Sequence, residues 1–146
     1  MGLILDDADD VMEKLMASWA PVPGGDETAN EESLHAFLDA AFVKFVVHRQ
    51  YSFAKTRADL LIDFEGSGKV VVEVKANLAD RNEYHRLIGQ AYAYLTEWNV
   101  HVVVVLCGEC DPSLVKLVTK AITFLNSNCT QQARLLLATG ARARVA

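Results

Sequence analysis

The chain has 146 residues, 51% hydrophobic and 23% charged, with a net charge of −5. That is the size of one ordinary domain, able to bury a core without disulfide staples, and the composition is globular and not disordered. No apolar run approaches the ~20 residues of a membrane span. Met1 to Asp10 holds four aspartates and no basic n-region, unlike a secretory signal. An odd count of three cysteines fits a reducing compartment, so the expected location is the cytoplasm. The acids crowd the first 39 residues, while Arg134, Arg142 and Arg144 lie in a mildly basic tail. Nucleic-acid binders usually carry a basic face. A bound cation would neutralise some of these carboxylates.

In chain order, Leu3, Ile4 and Leu5 are followed by Val11, Met12, Leu15, Met16 and Trp19, a helical spacing. Pro21-Val22-Pro23-Gly24-Gly25 ends that segment, giving a helical extension and linker over 1–25 and a main domain over 26–146. From Glu31 to His48 the stripe Leu34, Phe37, Leu38, Ala41, Phe42, Phe45, Val46 predicts a helix. Two β-rich runs, 58–65 and 69–76, flank Gly66-Ser67-Gly68 and read as a hairpin. A helix follows over about 81–98, with Asp80 as N-cap and Glu83 in the capping-box position. Val100 to Leu106 reads as a buried strand. Asp111-Pro112 opens a helix to about Asn126, and Gln132 to Thr139 reads as a last strand. The expected architecture is α/β, a central mixed sheet with helices on both faces.

The hairpin carries the chemistry. Val71, Glu73 and Lys75 share one face of their strand, as do Asp59, Leu61, Asp63 and Glu65 on theirs. A three-residue loop would pair Asp63 with Val71, Leu61 with Glu73 and Asp59 with Lys75, gathering the acids on one side and both apolar faces on the other. Gly68 suits the left-handed end of such a loop. Asp59 and Glu73 would then be diagonal neighbours, two carboxylates of the kind a hard divalent cation such as Mg²⁺ takes. Lys75, beside two acids, reads as a charged electrostatic stabiliser.

Asp59 followed by Glu73-Val74-Lys75 resembles the D…ExK signature of the PD-(D/E)xK nuclease superfamily. Gln90 and Tyr94 in the next helix resemble the QxxxY motif of its RecB-like branch. The resemblance covers roughly residues 31–108, with Ala58 where the family usually has proline. It implies a restriction-endonuclease-like αβββαβ core and Mg²⁺-dependent phosphodiester hydrolysis, with Mn²⁺ as a substitute and DNA as the expected partner. It further implies Asp59, Glu73 and the Val74 carbonyl as metal ligands, and Lys75 acting on nucleophile or transition state. The glutamate that the first core helix often contributes would be Glu31, which extends the Leu34/Leu38 stripe. Gln90 would be catalytic, and Arg86 and Tyr94 would touch substrate. A homodimer would let so short a chain reach both strands of a duplex. The alternative is a catalytically silent nuclease-like fold serving as a nucleic-acid-binding or assembly module, which the acidic net charge favours.

Other features have plainer readings. Asp63 is a solvated acid near the hairpin tip, and the four histidines show no ligand spacing with one another. Cys107-Gly108-Glu109-Cys110 between strand and helix resembles a thioredoxin-like redox arrangement. Asp111-Pro112 starts the helix after both thiols, and no later proline could face them. A zinc site has Cys129 as a third ligand and no fourth.

Overall fold

A computed structural model describes residues 7–139 and 142–145. Leu3-Ile4-Leu5 lies outside the described residues, as do the side chains of Arg142 and Arg144. The elements are α1 (Asp7–Ser18), α2 (Glu27–Ala41), β1 (Val46–Phe53), β2 (Thr56–Asp63), β3 (Lys69–Ala76), α3 (Arg81–Thr96), β4 (His101–Cys107), α4 (Pro112–Asn128), β5 (Ala133–Thr139) and β6 (Arg142–Val145). Among the described residues one sheet holds all six strands, side by side in chain order. β1, β2 and β3 run antiparallel, β3, β4 and β5 parallel, and β6 returns antiparallel. The sheet is therefore mixed, as the sequence implied.

Helices cover both faces. On one, Leu15 of α1 and Leu34 and Leu38 of α2 join a core with Ile62, Val72, Val103 and Leu136. On the other, Leu87 and Leu95 of α3 and Val118 and Leu125 of α4 close over Val71, Val102, Val104 and Leu135. Each such side chain contributes roughly 1.5–3 kcal/mol by leaving water. The near-continuous apolar run of β4 follows from its place between β3 and β5, covered on both sides. α1 sits within the first core, with Ala8, Val11, Met12 and Leu15 all buried, and packs against β4, β5 and β6. No described helix is long and apolar enough to cross a membrane.

Two local outcomes differ from the expectation. The helix expected over Glu31 to His48 runs Glu27–Ala41, because the Asp26 carboxylate caps it by accepting the Ala29 N–H at 2.8 Å. The chain then turns, and Val46 onward becomes edge strand β1. Phe42 and Phe45, placed by periodicity in a last helical turn, instead make a corner against Phe64, with ring centroids 5.3 and 5.0 Å away.

The second difference lies in the β2–β3 register, which pairs Asp63 with Lys69, Leu61 with Val71 and Leu60 with Val72. That is a slip of two residues from the expected pairing. Residues 64–68 form the connection, with a 3-10 turn at Glu65–Ser67 and Gly68 at φ 123°, a value that favours glycine. Phe64 drives the slip: it is buried against Phe42 and so belongs to the turn's core side and not to the ladder. An even slip preserves the facing of every side chain. The ladder ends at Leu60 and Val72, one step short of Asp59 and Glu73, which are joined instead by a hydrogen bond from the Asp59 N–H to the Glu73 carboxyl.

Candidate active site

β2 and β3 form a regular ladder as far as Leu60 and Val72, and at the next step side chains take over the seam. The Val74 N–H donates to Asp59 Oδ2 at 2.8 Å, and the Asp59 N–H donates to Glu73 Oε1 at 3.1 Å. Each acid thus satisfies a backbone donor of the neighbouring strand, and the two carboxyl groups are brought together in doing so. Facing alternation confirms the disturbance: Ala58 packs on the α3 side while Leu60 packs on the α2 side.

Glu73 is 4% exposed. Its Oε2 accepts the hydroxyl of Tyr94 at 2.8 Å. Burial pushes its pKa up to about 9, with the adjacent Asp59 charge adding to the effect. The pair thereby holds a proton that a cation could displace.

Lys75, two residues on, reaches the same cleft. Its Nζ lies 3.4 Å from Glu27 Oε2 and 3.3 Å from Glu83 Oε2. Burial raises the pKa of Glu27; the Lys75 charge opposes that rise and Asp59 adds to it. The cleft has a volume of about 150 Å³, and its wall includes Glu27, Asp59, Glu73, Lys75, Arg86 and Gln90, together with Val74, Glu83 and Leu87. Four carboxyl groups therefore face two cationic side chains, an excess of negative charge suited to a divalent cation.

Among the described residues no three His, Cys, Asp or Glu side chains converge as a metal cage. Magnesium does not require one, since it commonly takes one or two carboxylates and keeps several waters. Asp59, Glu73 and the Val74 carbonyl fit that donor set.

The sequence-selected residues fall into three groups. Asp59, Glu73, Val74, Lys75, Arg86 and Gln90 come together around the cleft. Glu31 does not: it is buried against β1, where Arg49 Nε lies 3.3 Å from Oε1 and the Gln50 side-chain amide also donates to it. Its structural partners leave it out of the cleft, and Glu27, one helical turn earlier on the same face, lines the cleft instead. Tyr94, expected at the substrate, is 0% exposed and instead holds Glu73, its hydroxyl also lying 3.1 Å from the Arg57 carbonyl.

Glu27 and Glu83 were not selected from sequence. Asp26 marks the true helix start and would have exposed Glu27. Glu83 sits where a capping box would use it, and its backbone N–H does bond Asp80 at 2.9 Å, yet its carboxylate turns to Lys75.

The CxxC is a different environment. All three cysteines are free, and Cys107 is buried at the end of β4. Burial pushes the Cys107 thiol up to about 12 and raises Cys110 as well. The Asp111 side chain caps α4 beyond both thiols, so neither receives the field of the helix N-terminus. Gly108 is fixed by close approach: with φ 74°, a Cβ there would meet Asn77 Oδ1 at 2.2 Å.

No protein-family model and no curated protein matches this chain.

Proposed function

We propose that the protein is a metal-dependent nuclease acting on phosphodiester bonds, with DNA as the expected substrate and a restriction-endonuclease-like core. One observation carries the reading: Asp59 and Glu73 meet at the break in the β2–β3 seam, with Lys75 two residues away in the same cleft. The succession α2-β1-β2-β3-α3-β4 supports it, being the αβββαβ order of that family.

Asp59, Glu73 and the Val74 carbonyl would hold Mg²⁺. When bound, the ion supplies Lewis-acid stabilisation of charge on a phosphoryl oxygen. Tyr94 fixes the Glu73 carboxylate from the buried side, leaving its other oxygen toward Asp59. Glu27 and Glu83 hold the Lys75 ammonium at the cleft, where it can meet a developing negative charge. Arg86 and Gln90 line the same wall, where they would position a phosphate.

Plasmid, single-stranded DNA and RNA should be assayed with Mg²⁺, Mn²⁺ or EDTA. The expected result is cleavage that EDTA abolishes. In Glu73→Ala, Mn²⁺ affinity by calorimetry and turnover should fall together. In Lys75→Ala the ion should still bind while turnover drops by about 10²–10³, the usual cost of one preorganised charge contact. A wild-type protein that cleaves none of the three substrates would refute the reading and leave a silent nuclease-like module.

A further inference from the structure

Between Asp39 and Asp59 the sequence holds no acid, yet it holds Lys44, His48, Arg49, Lys55 and Arg57. In a chain of net charge −5 this is a local reversal, and it coincides with the β1–β2 hairpin. Arg49 is engaged by Glu31 and Glu32. Lys55 and Arg57 are exposed and in no ion pair among the described residues.

The same hairpin carries aromatic surface. Phe53 is 51% exposed, and its ring stands edge-on to Trp98 with centroids 5.6 Å apart. Tyr51 and Tyr94 also pack edge-on against Trp98, with ring centroids 6.0 and 4.9 Å away. Tyr51, Phe53 and Trp98, with Leu61, Lys69 and Val100, line a cavity of about 210 Å³. The indole N–H of Trp98 is buried with no partner, an unmet donor beside that cavity. Gln90 lines the cleft from α3, and Trp98 follows just past the C-terminal end of that helix, so the aromatic cavity lies beyond the helix end, eight residues on from the cleft.

We propose that the β1–β2 hairpin is a strand-binding platform for single-stranded nucleic acid. Lys55 and Arg57 meet phosphates, while an unpaired base stacks on Phe53 at the mouth of the Tyr51/Trp98 cavity. The inference deepens the nuclease reading and rests on it for the identity of the polymer. Its own support is the pairing of free cationic charge with an exposed ring, which a polyanion with π-faces complements. Stacked bases in a duplex do not offer such a face, so an unpaired strand is the occupant.

Anisotropy of fluorescein-labelled oligothymidylate, oligouridylate and a DNA duplex, in EDTA, separates binding from cleavage. The single strands should bind more tightly than the duplex, and the DNA and RNA arms distinguish the two sources of the same chemistry. Phe53→Ala should weaken single-strand binding about tenfold. Lys55→Glu should lower the magnitude of the slope of log K against log salt by about 0.7 or more. Phe124→Ala, which removes a still more exposed ring on α4 (67% exposed), should change nothing. Circular dichroism of each variant checks the fold. Binding that is unaffected by both hairpin variants, equal for all three nucleic-acid probes, or absent altogether overturns the platform, even if the wild type cleaves. Hairpin-dependent binding without any cleavage would support the platform and remove the nuclease reading alone.

Discussion

Glu73→Gln offers a test of the site that needs no substrate. In the metal-free protein burial and the Asp59 charge push the Glu73 carboxyl up to about 9, against 4.5 for the free group. The folded state therefore keeps a proton that the unfolded chain releases. The stability this proton confers is full below the unfolded value and is lost as pH rises toward the folded one. Within that window the wild type loses about 1.4 kcal/mol per pH unit from this group. Between about pH 5 and pH 8 the loss is on the order of 4 kcal/mol, or roughly 10 °C in Tm for a domain of this size.

Glutamine has the shape of the protonated acid. Its carbonyl can accept the Asp59 N–H, and its amide can donate to the Tyr94 hydroxyl, whose proton then turns to the Arg57 carbonyl 3.1 Å away. The variant lacks the titration, so its unfolding profile should be flatter by that amount. The assay is thermal or urea unfolding of both proteins in EDTA across the window. Mg²⁺ added at the alkaline end should restore the wild type, by about 2.7 kcal/mol at a hundredfold excess over Kd, and leave the variant unmoved. Parallel profiles for the two proteins would refute the proton-holding pair and, with it, the argument that a cation belongs there.

Two further outcomes separate near neighbours. Glu27→Gln should slow cleavage with little change in Tm, whereas Glu31→Ala should lower stability by roughly 1–3 kcal/mol through the orphaned Arg49 and Gln50 donors and spare turnover; steady-state kinetics beside thermal melts would expose a reversed pattern. Cys110→Ser should leave cleavage intact, and a thiol reagent should label buried Cys107 only as the protein unfolds, so rapid labelling of Cys107 in the native state would contradict its burial.

The facing of residues was more legible in the sequence than their register. Alternation along 60–63 and 69–72 survived a two-residue slip because a strand's period is two, whereas Ala58 crosses to the α3 side, and Asp59 meets Glu73 through hydrogen bonds at that break in the seam. The slip itself depended on Phe64 finding Phe42, a contact between segments more than 20 residues apart, which no local pattern announces. β1 was hidden for a related reason. As an edge strand with Arg49 and Gln50 exposed in succession, and Ser52 and Phe53 likewise, it lacks the alternation of a half-buried one. The misplaced start of α2 then carried Glu31 forward as the helix's contribution and passed over Glu27. Tyr94 was expected to touch substrate, but four-residue spacing gives a side of the helix and not a depth. Only packing against Trp98 and Glu73 reveals that it lies beneath the site.

The exchange of hydrogen bonds between Asp59 and Val74, and between Glu73 and Asp59, makes the seam of the sheet part of the site. The peptide groups of Asp59 and Val74 sense directly the charge on each carboxylate. Their amide resonances and hydrogen-exchange rates should therefore register an arriving ion before any substrate is present. The same arrangement limits how the site can vary over evolution. A substitution at either acid removes a possible ligand and also unfastens two strands at once. A descendant that abandoned the chemistry would still be under pressure to keep both carboxyl groups, or their amides, as stitches.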